Sequence, residues 1–276
     1  MLVVQILGGL GNQMFQYAFY KSLKKHGKEV KADAHVCRKY LRHHGYELDR
    51  VFGIQLDEIT KRESKKYRES SDVLKEQRQF QVDPEIRNLQ EGYLVGYWQN
   101  PGYFESIAKE MRSEFSEFKK IDRKNLKFLE ELSGKNTVSL HVRRGDFVKK
   151  ESAAKRHGGI ATLQYYQNAI EYIDNRIEKP VFVVFSDDIK WCKLNLTLPE
   201  TSLFVNWNKG KRSYRDMFLM SRCQHNIIAN SSFSWWGAWL NENKNKIIVA
   251  PNKWVNEVPK AAYDICPNSW KKLPTT

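Results

Sequence analysis

The sequence predicts an α/β protein built as two Rossmann-like halves facing each other across a cleft. Three observations carry this reading. Short apolar runs of strand length alternate with segments of helical spacing, the pattern of parallel sheets joined by crossover helices. The first apolar run, Leu2 to Leu7, passes at once into Gly8-Gly9-Leu10-Gly11, a turn that opens a helix. Gly134-Lys135-Asn136 then interrupts the chain, and the strand–helix rhythm restarts after it. The 276 residues suffice for two compact halves with separate cores, which fall at 1–134 and 135–276.

Each element follows from its residues. Leu2 to Leu7 reads as a buried strand, Gln13 to His26 as a helix and Glu29 to Ala32 as a second strand. From about Arg38 to Gln79 the chain is charged and loop-rich or irregularly helical. Tyr93 to Trp98 resumes a strand, and Pro101-Gly102 marks the entry to a helix. In the second half, Val138 to Val142 forms a strand. Tyr166, Ala169, Ile170, Ile173 and Ile177 recur at helical spacing in the segment Tyr165 to Ile177. Strands at Val181 to Phe185 and Leu203 to Val205 come next, then a helix at Tyr214 to Arg222. A strand at Ile227 to Ala229, a Trp-rich helix and a strand at Ile247 to Val249 complete the series.

Composition excludes several classes. Hydrophobic content of 41% with 13% aromatics is that of a globular chain, not a disordered one. The formal charge of +14 arises partly from runs such as Lys24, Lys25, Lys28 and Lys31, which are ordinarily solvated helix faces. A positive field of this size also attracts an anionic nucleotide sugar, or an acceptor at an anionic membrane surface. The basic runs are dispersed and lack a nucleic-acid motif, so nucleic acid is not an expected partner. Cys37, Cys192, Cys223 and Cys266 show no metal spacing and read as reduced thiols of a cytoplasmic protein. The first strand is too short for a signal segment, no window approaches membrane-spanning length, and peripheral contact with the inner membrane face is the alternative location.

The most informative stretch is His141-Val142-Arg143-Arg144-Gly145-Asp146, which closes an apolar strand. It delivers two arginines, a histidine and an aspartate to the carboxyl end of the strand, where open α/β sheets bind ligands. Paired guanidinium forks there suit phosphate oxygens; the plainer reading is a surface Arg–Asp pair. Two other segments decide between them. Gly8-Gly9-Leu10-Gly11-Asn12-Gln13-Met14-Phe15-Gln16-Tyr17-Ala18 follows the first strand, and Asn230-Ser231-Ser232-Phe233-Ser234-Trp235-Trp236-Gly237-Ala238-Trp239-Leu240 follows a late one.

Together, in this order, the three segments resemble the α-1,2-fucosyltransferase family of the soluble bacterial kind, from the first strand to about Trp254. His-x-Arg-Arg-x-Asp alone is shared with α-1,6- and protein-O-fucosyltransferases; the glycine-rich opening is the more specific signal. The resemblance implies the GT-B fold and transfer of fucose from GDP-fucose to the 2-hydroxyl of a terminal galactose. It implies an acceptor-side first half and a GDP-fucose-binding second half. It also carries donor contacts to Asn12, to His141, Arg143 and Arg144, and to a guanine-reading Asp216 ahead of the serine loop.

Read on their own terms, the residues leave alternatives. Asn12 faces the donor or caps the helix. Asp187 and Asp188 follow a strand; they hold a divalent metal, or one caps a helix while the basic surroundings replace the metal. No metal or other cofactor is expected. Asp216 reads guanine or pairs with Arg212 or Arg215. Ser231 and Ser232 lie where helix amides hold a diphosphate, and Phe233 stacks on the nucleotide or joins the tryptophans in the core. Gln13, Trp98 and Gln99 are the candidates for the sugar acceptor. Arg143 is placed to neutralise the leaving diphosphate. Asp146 and Glu151 are the carboxylates near enough in sequence to act as general base, with Asp146 expected to brace Arg144. A rival reading, an NAD-dependent oxidoreductase, rests on Gly9-x-Gly11 without its third glycine and on Asp33 as a ribose-binding acid.

Overall fold

A computed structural model describes the chain except residues 40–41, 71–72, 146–147, 149, 259–264 and 276. It divides into two compact units, Met1–Lys120 and Ile121–Thr276. The division falls ahead of the expected hinge at Gly134, because helix α6 (Arg123–Leu132) belongs with the second unit. Asp122 caps that helix and pairs with Arg215, well inside the second unit.

Among the described residues, the first unit holds a four-stranded parallel sheet in the order β2-β1-β4-β3. Its strands are β1 (Leu2–Gln5), β2 (Val30–Asp33), β3 (Val73–Lys75) and β4 (Gly92–Val95). Helix α1 (Leu10–Lys25) starts three residues earlier than its apolar spacing implied, with Gly9 in the cap position. The irregular stretch contains short helices α2 (His35–Lys39), α3 (Leu48–Phe52) and α4 (Lys61–Arg68). It also contains β3, whose Leu74 and Lys75 are exposed, so an edge strand hid in a charged sequence. Helix α5 (Ala108–Ser116) closes the unit.

The second unit holds a six-stranded parallel sheet in the order β10-β9-β8-β5-β6-β7. These strands are β5 (Thr137–Val142), β6 (Val181–Ser186), β7 (Leu203–Val205), β8 (His225–Ile227), β9 (Ile248–Pro251) and β10 (Lys271–Leu273). The helices are α7 (Glu151–His157), α8 (Leu163–Asp174), α9 (Ile189–Asn195), α10 (Tyr214–Arg222) and α11 (Ser232–Trp239). Every residue of β5 is buried, as a central strand covered on both faces requires. Its Val138, Leu140 and Val142 pack with Tyr166, Ile173 and Phe182.

Each sheet has a place where chain order reverses direction across it. In the first sheet it lies between β1 and β4, and in the second between β5 and β8. Ligands of open parallel sheets bind outside the carboxyl ends of the strands at such places. Both glycine- and arginine-bearing motifs leave the sheets there. Among the described residues, no helix is long and apolar enough to cross a membrane, and all four cysteines are buried and unbridged.

Candidate active site

In the second unit, β5 and β6 pair in register through Val142 and Ser186, so Arg143 and Asp187 leave the sheet side by side. Arg143 Nη1 donates to Asp187 Oδ2 at 2.9 Å. The other oxygen of that carboxylate accepts from the Arg144 backbone N–H at 3.0 Å. Gly145 is glycine because a Cβ there would overlap the Asp187 carboxylate. Arg144 is held separately: Nε donates to Asp188 Oδ2 at 3.4 Å, and the guanidinium lies over the Trp191 ring, 4.0 Å from its centre. Asp188 also caps α9, accepting from the Trp191 N–H. The two aspartates are thus occupied by arginines and a helix terminus. A pocket of about 140 Å³ opens beside Arg143 and Arg144, with Val142, Tyr166, Trp191 and Asn230 in its wall.

Across the switch point, α11 begins at Ser232 with Ser231 in the cap position, and the Ser231 side chain makes no capping hydrogen bond. Ser231, Ser232 and Phe233 are half-buried, whereas Trp235, Trp236 and Trp239 pack inside. The helix amides at this end carry the positive end of the helix dipole. Phe233 stands 5.9 Å from the His141 ring, centre to centre. His141 is buried, and its Nδ1 has no hydrogen-bond partner among the described residues. Burial and the adjacent Arg143 guanidinium push its pKa down to about 4, so the imidazole is neutral at ordinary pH.

Asp216 occupies the first turn of α10. Its carboxylate accepts from Asn208 Nδ2 at 2.9 Å, and burial pushes its pKa up to about 7. Asn208 in turn exchanges amide hydrogen bonds of 3.0 and 2.8 Å with Asn125 of α6. Arg215, one of the two arginines considered as partners of Asp216, pairs with Asp122. Asn125 and Asn208 are functional neighbours that sequence reading missed, since an amide pair 83 positions apart leaves no local signal. Gly237 lets α10 and α11 approach closely: a Cβ on it would stand 3.0 Å from Met220 Cβ. Asp216 and the serine turn therefore sit on helices locked to one another.

Glu151 is exposed at the start of α7, a helix that buries none of its residues. Asp146 lies outside the described residues.

In the first unit, the loops after β1 and β4 meet. Asn12 lies in the first turn of α1, not at its cap, and its Oδ1 accepts from Gln99 Nε2 at 2.7 Å. Gly8, at φ +93°, is required twice over: its conformation is left-handed, and a Cβ would meet Asn12 Nδ2 at 2.9 Å. Two acceptor candidates are corrected. Gln13 is fully buried; its amide donates to the carbonyls of Gly8 and Gly45 and accepts from the Glu47 N–H. It pins the loop and cannot face a ligand. Trp98 is 1% exposed and stacks on Phe19 at 4.4 Å; a positive φ of 53° turns it inward. The glycine loop of the oxidoreductase reading loses its acid as well. Asp33 is buried and accepts from Ser64 Oγ, Tyr93 Oη and the His35 N–H, so no ribose reaches it.

With this geometry in place, likeness to known proteins becomes informative. The profile of Glycosyl transferase family 11 matches residues 1–273. An alpha-1,2-colitosyltransferase of Escherichia coli is 34% identical over 288 aligned positions, covering 99% of this chain and 98% of the relative. The O-antigen biosynthesis glycosyltransferase WbnK of Escherichia coli is 33% identical, covering 96% and 98%. Among solved structures, the NodZ alpha-1,6-fucosyltransferase soaked with GDP-fucose superposes with a TM-score of 0.50 over 87% of this chain and 91% of that one. At 13% identity this last likeness speaks to the fold, which is of the GT-B kind.

Proposed function

The chain belongs to glycosyl transferase family 11, and from that premise we propose that it is an inverting, metal-independent transferase of L-fucose from GDP-fucose to the 2-hydroxyl of a terminal galactose. The observation that carries the reading is the meeting of Arg143, neutral His141 and the α11 N-terminus at one switch point. That set is chemically suited to a diphosphate. GDP-fucose is β-linked and the product α-linked, so a single displacement inverts the anomeric carbon. Negative charge then grows on the departing diphosphate. Arg143, held by Asp187, and the Ser231–Ser232 amides neutralise it; each such preorganised donor supplies roughly 3 kcal/mol to a transition state.

Asp216 reads the guanine edge and Phe233 lies along the nucleotide beside His141. Arg144, fixed on Trp191 and Asp188, shapes the pocket next to Arg143. Gln99 belongs to the acceptor side. The acceptor proton passes to Glu151, to Asp146, or to the leaving phosphate.

A second reading has one specific support: the 34% identical relative is named for colitosyl transfer. Colitose is fucose without its 3-hydroxyl, so the same site chemistry serves either donor. The test offers GDP-fucose and GDP-colitose in separate reactions with lactose and N-acetyllactosamine, follows GDP release, and locates the new linkage by NMR. An α-1,2-fucosylated galactoside is expected. Turnover with GDP-colitose alone assigns the second reading, and release with neither donor overturns both.

A further inference from the structure

We infer that Tyr97 is the stacking platform for the acceptor and that it selects a galacto-configured terminal sugar; this rests on the transferase reading above. The loop Gly96-Tyr97-Trp98-Gln99-Asn100 leaves β4 at the switch point of the first sheet. It is fastened along its length. Gln16 Nε2 donates to the Gly96 carbonyl at 2.8 Å, and Glu76 accepts from the Tyr97 N–H at 2.8 Å. Trp98 is stacked inward on Phe19, Gln99 donates to Asn12, and Asn100 Nδ2 donates to the Phe80 carbonyl.

The aromatic residues of this loop have opposite fates. Trp98 is 1% exposed and Tyr97 is 44% exposed. An exposed, preorganised aromatic beside a fixed amide is an uneconomical way to build a surface but a suitable way to bind a sugar. The site of the missing Gly8 side chain ties the two loops together, lying 2.9 Å from Asn12 Nδ2 and 3.4 Å from Tyr97 Cε1. The amide pair and the ring edge therefore border one small space. Gln99, only 8% exposed, donates from Nε2 to Asn12 and fixes that amide beside the ring.

The sugar chemistry follows. In a galacto-configured ring the axial 4-hydroxyl leaves the hydrogens of C3, C4 and C5 together on one face, an apolar patch that covers a phenol ring. A gluco-configured ring, with every hydroxyl equatorial, keeps H3 and H5 on that face but sends H4 to the other, so its apolar patch is less continuous. Tyr97 thus supplies preference among acceptors.

Saturation-transfer NMR with methyl β-D-galactoside tests this without requiring turnover. Wild-type protein is expected to saturate H3, H4 and H5 of the galactoside most strongly, with a weaker signal for methyl β-D-glucoside. Tyr97→Phe should keep the effect and Tyr97→Ala should lose it, both retaining wild-type GDP affinity as proof of folding. In the transfer assay Tyr97→Ala should raise acceptor KM about tenfold with kcat nearly unchanged. Galactoside saturation in Tyr97→Ala equal to wild type, or none in wild type, overturns the platform. Wild-type saturation through Tyr97 without transfer from any GDP-sugar keeps the platform and counts against the transferase reading instead.

Discussion

The Arg143 guanidinium donates to the Asp187 carboxylate at 2.9 Å because β5 and β6 run in register up to Val142 and Ser186. The pair is a property of the sheet, one residue beyond its last hydrogen-bonded rung. Asp187 also accepts the Arg144 N–H, so one carboxylate fixes both the side chain of the first arginine and the backbone of the second. A planar fork held in this way faces a diphosphate without further reorganisation.

That arrangement depends on Gly145. A methyl group in Gly145→Ala collides with the Asp187 carboxylate and costs about 1–3 kcal/mol of strain, expressed as displacement of Arg143. GDP affinity, measured by calorimetry, should fall roughly tenfold or more. Unchanged affinity would detach Asp187 from the donor site.

Asp216 sets a pH dependence. Burial raises its pKa to about 7, above the ordinary carboxylate value, so the free protein carries it neutral below pH 7. Accepting from guanine requires the ionised form. GDP affinity should therefore weaken about tenfold per pH unit as pH falls below 7, and Asp216→Asn should bind weakly with a flat profile. Stability runs the other way. A folded pKa above the unfolded one contributes stability at acid pH, and this is lost as pH rises through 7. A GDP affinity independent of pH between about 5 and about 8 would remove Asp216 from base recognition.

Turnover should persist in excess chelator. Asp187 and Asp188 are committed to Arg143, Arg144 and the α9 N-terminus, and arginines with helix amides supply the positive charge. Complete loss in chelator, restored by Mg²⁺ or Mn²⁺, would reassign the two aspartates as ligands.

Glu151 is exposed at the start of α7, where a base would be open to the acceptor. If it takes the acceptor proton, Glu151→Gln should reduce kcat by about two to four orders of magnitude with GDP affinity intact. A fully active variant would pass the role to another group or to the leaving phosphate.

Much of the fold was legible in the sequence because strands buried on both faces are apolar throughout. The limits of β7 and α10 fall where the spacing placed them. The edge strands β3 and β10 were not legible: Val73-Leu74-Lys75 and Lys271-Lys272-Leu273 mix charge with apolar residues and draw their strand character from pairing. In the site, the arginines, the serine turn and Asp216 stood out by motif and position. The errors lay in neighbouring aromatic and amide residues. Gln13 and Trp98 were the misplaced ones: Gln13 is spent on the backbone of its own loop, and Trp98, at a positive φ and stacked on Phe19, lies inward while Tyr97 stays exposed. The Asn125–Asn208–Asp216 chain is a product of tertiary packing.

Substitution of Arg143 by lysine is the most direct test of the central claim that a fixed guanidinium fork neutralises the departing diphosphate. Lysine keeps the charge and loses the planar fork. Measured with saturating GDP-fucose and a galactoside acceptor, kcat of Arg143→Lys should fall roughly 100- to 1,000-fold, and GDP should bind more weakly. Near-normal turnover by Arg143→Lys would contradict the account and take Arg143 out of the mechanism.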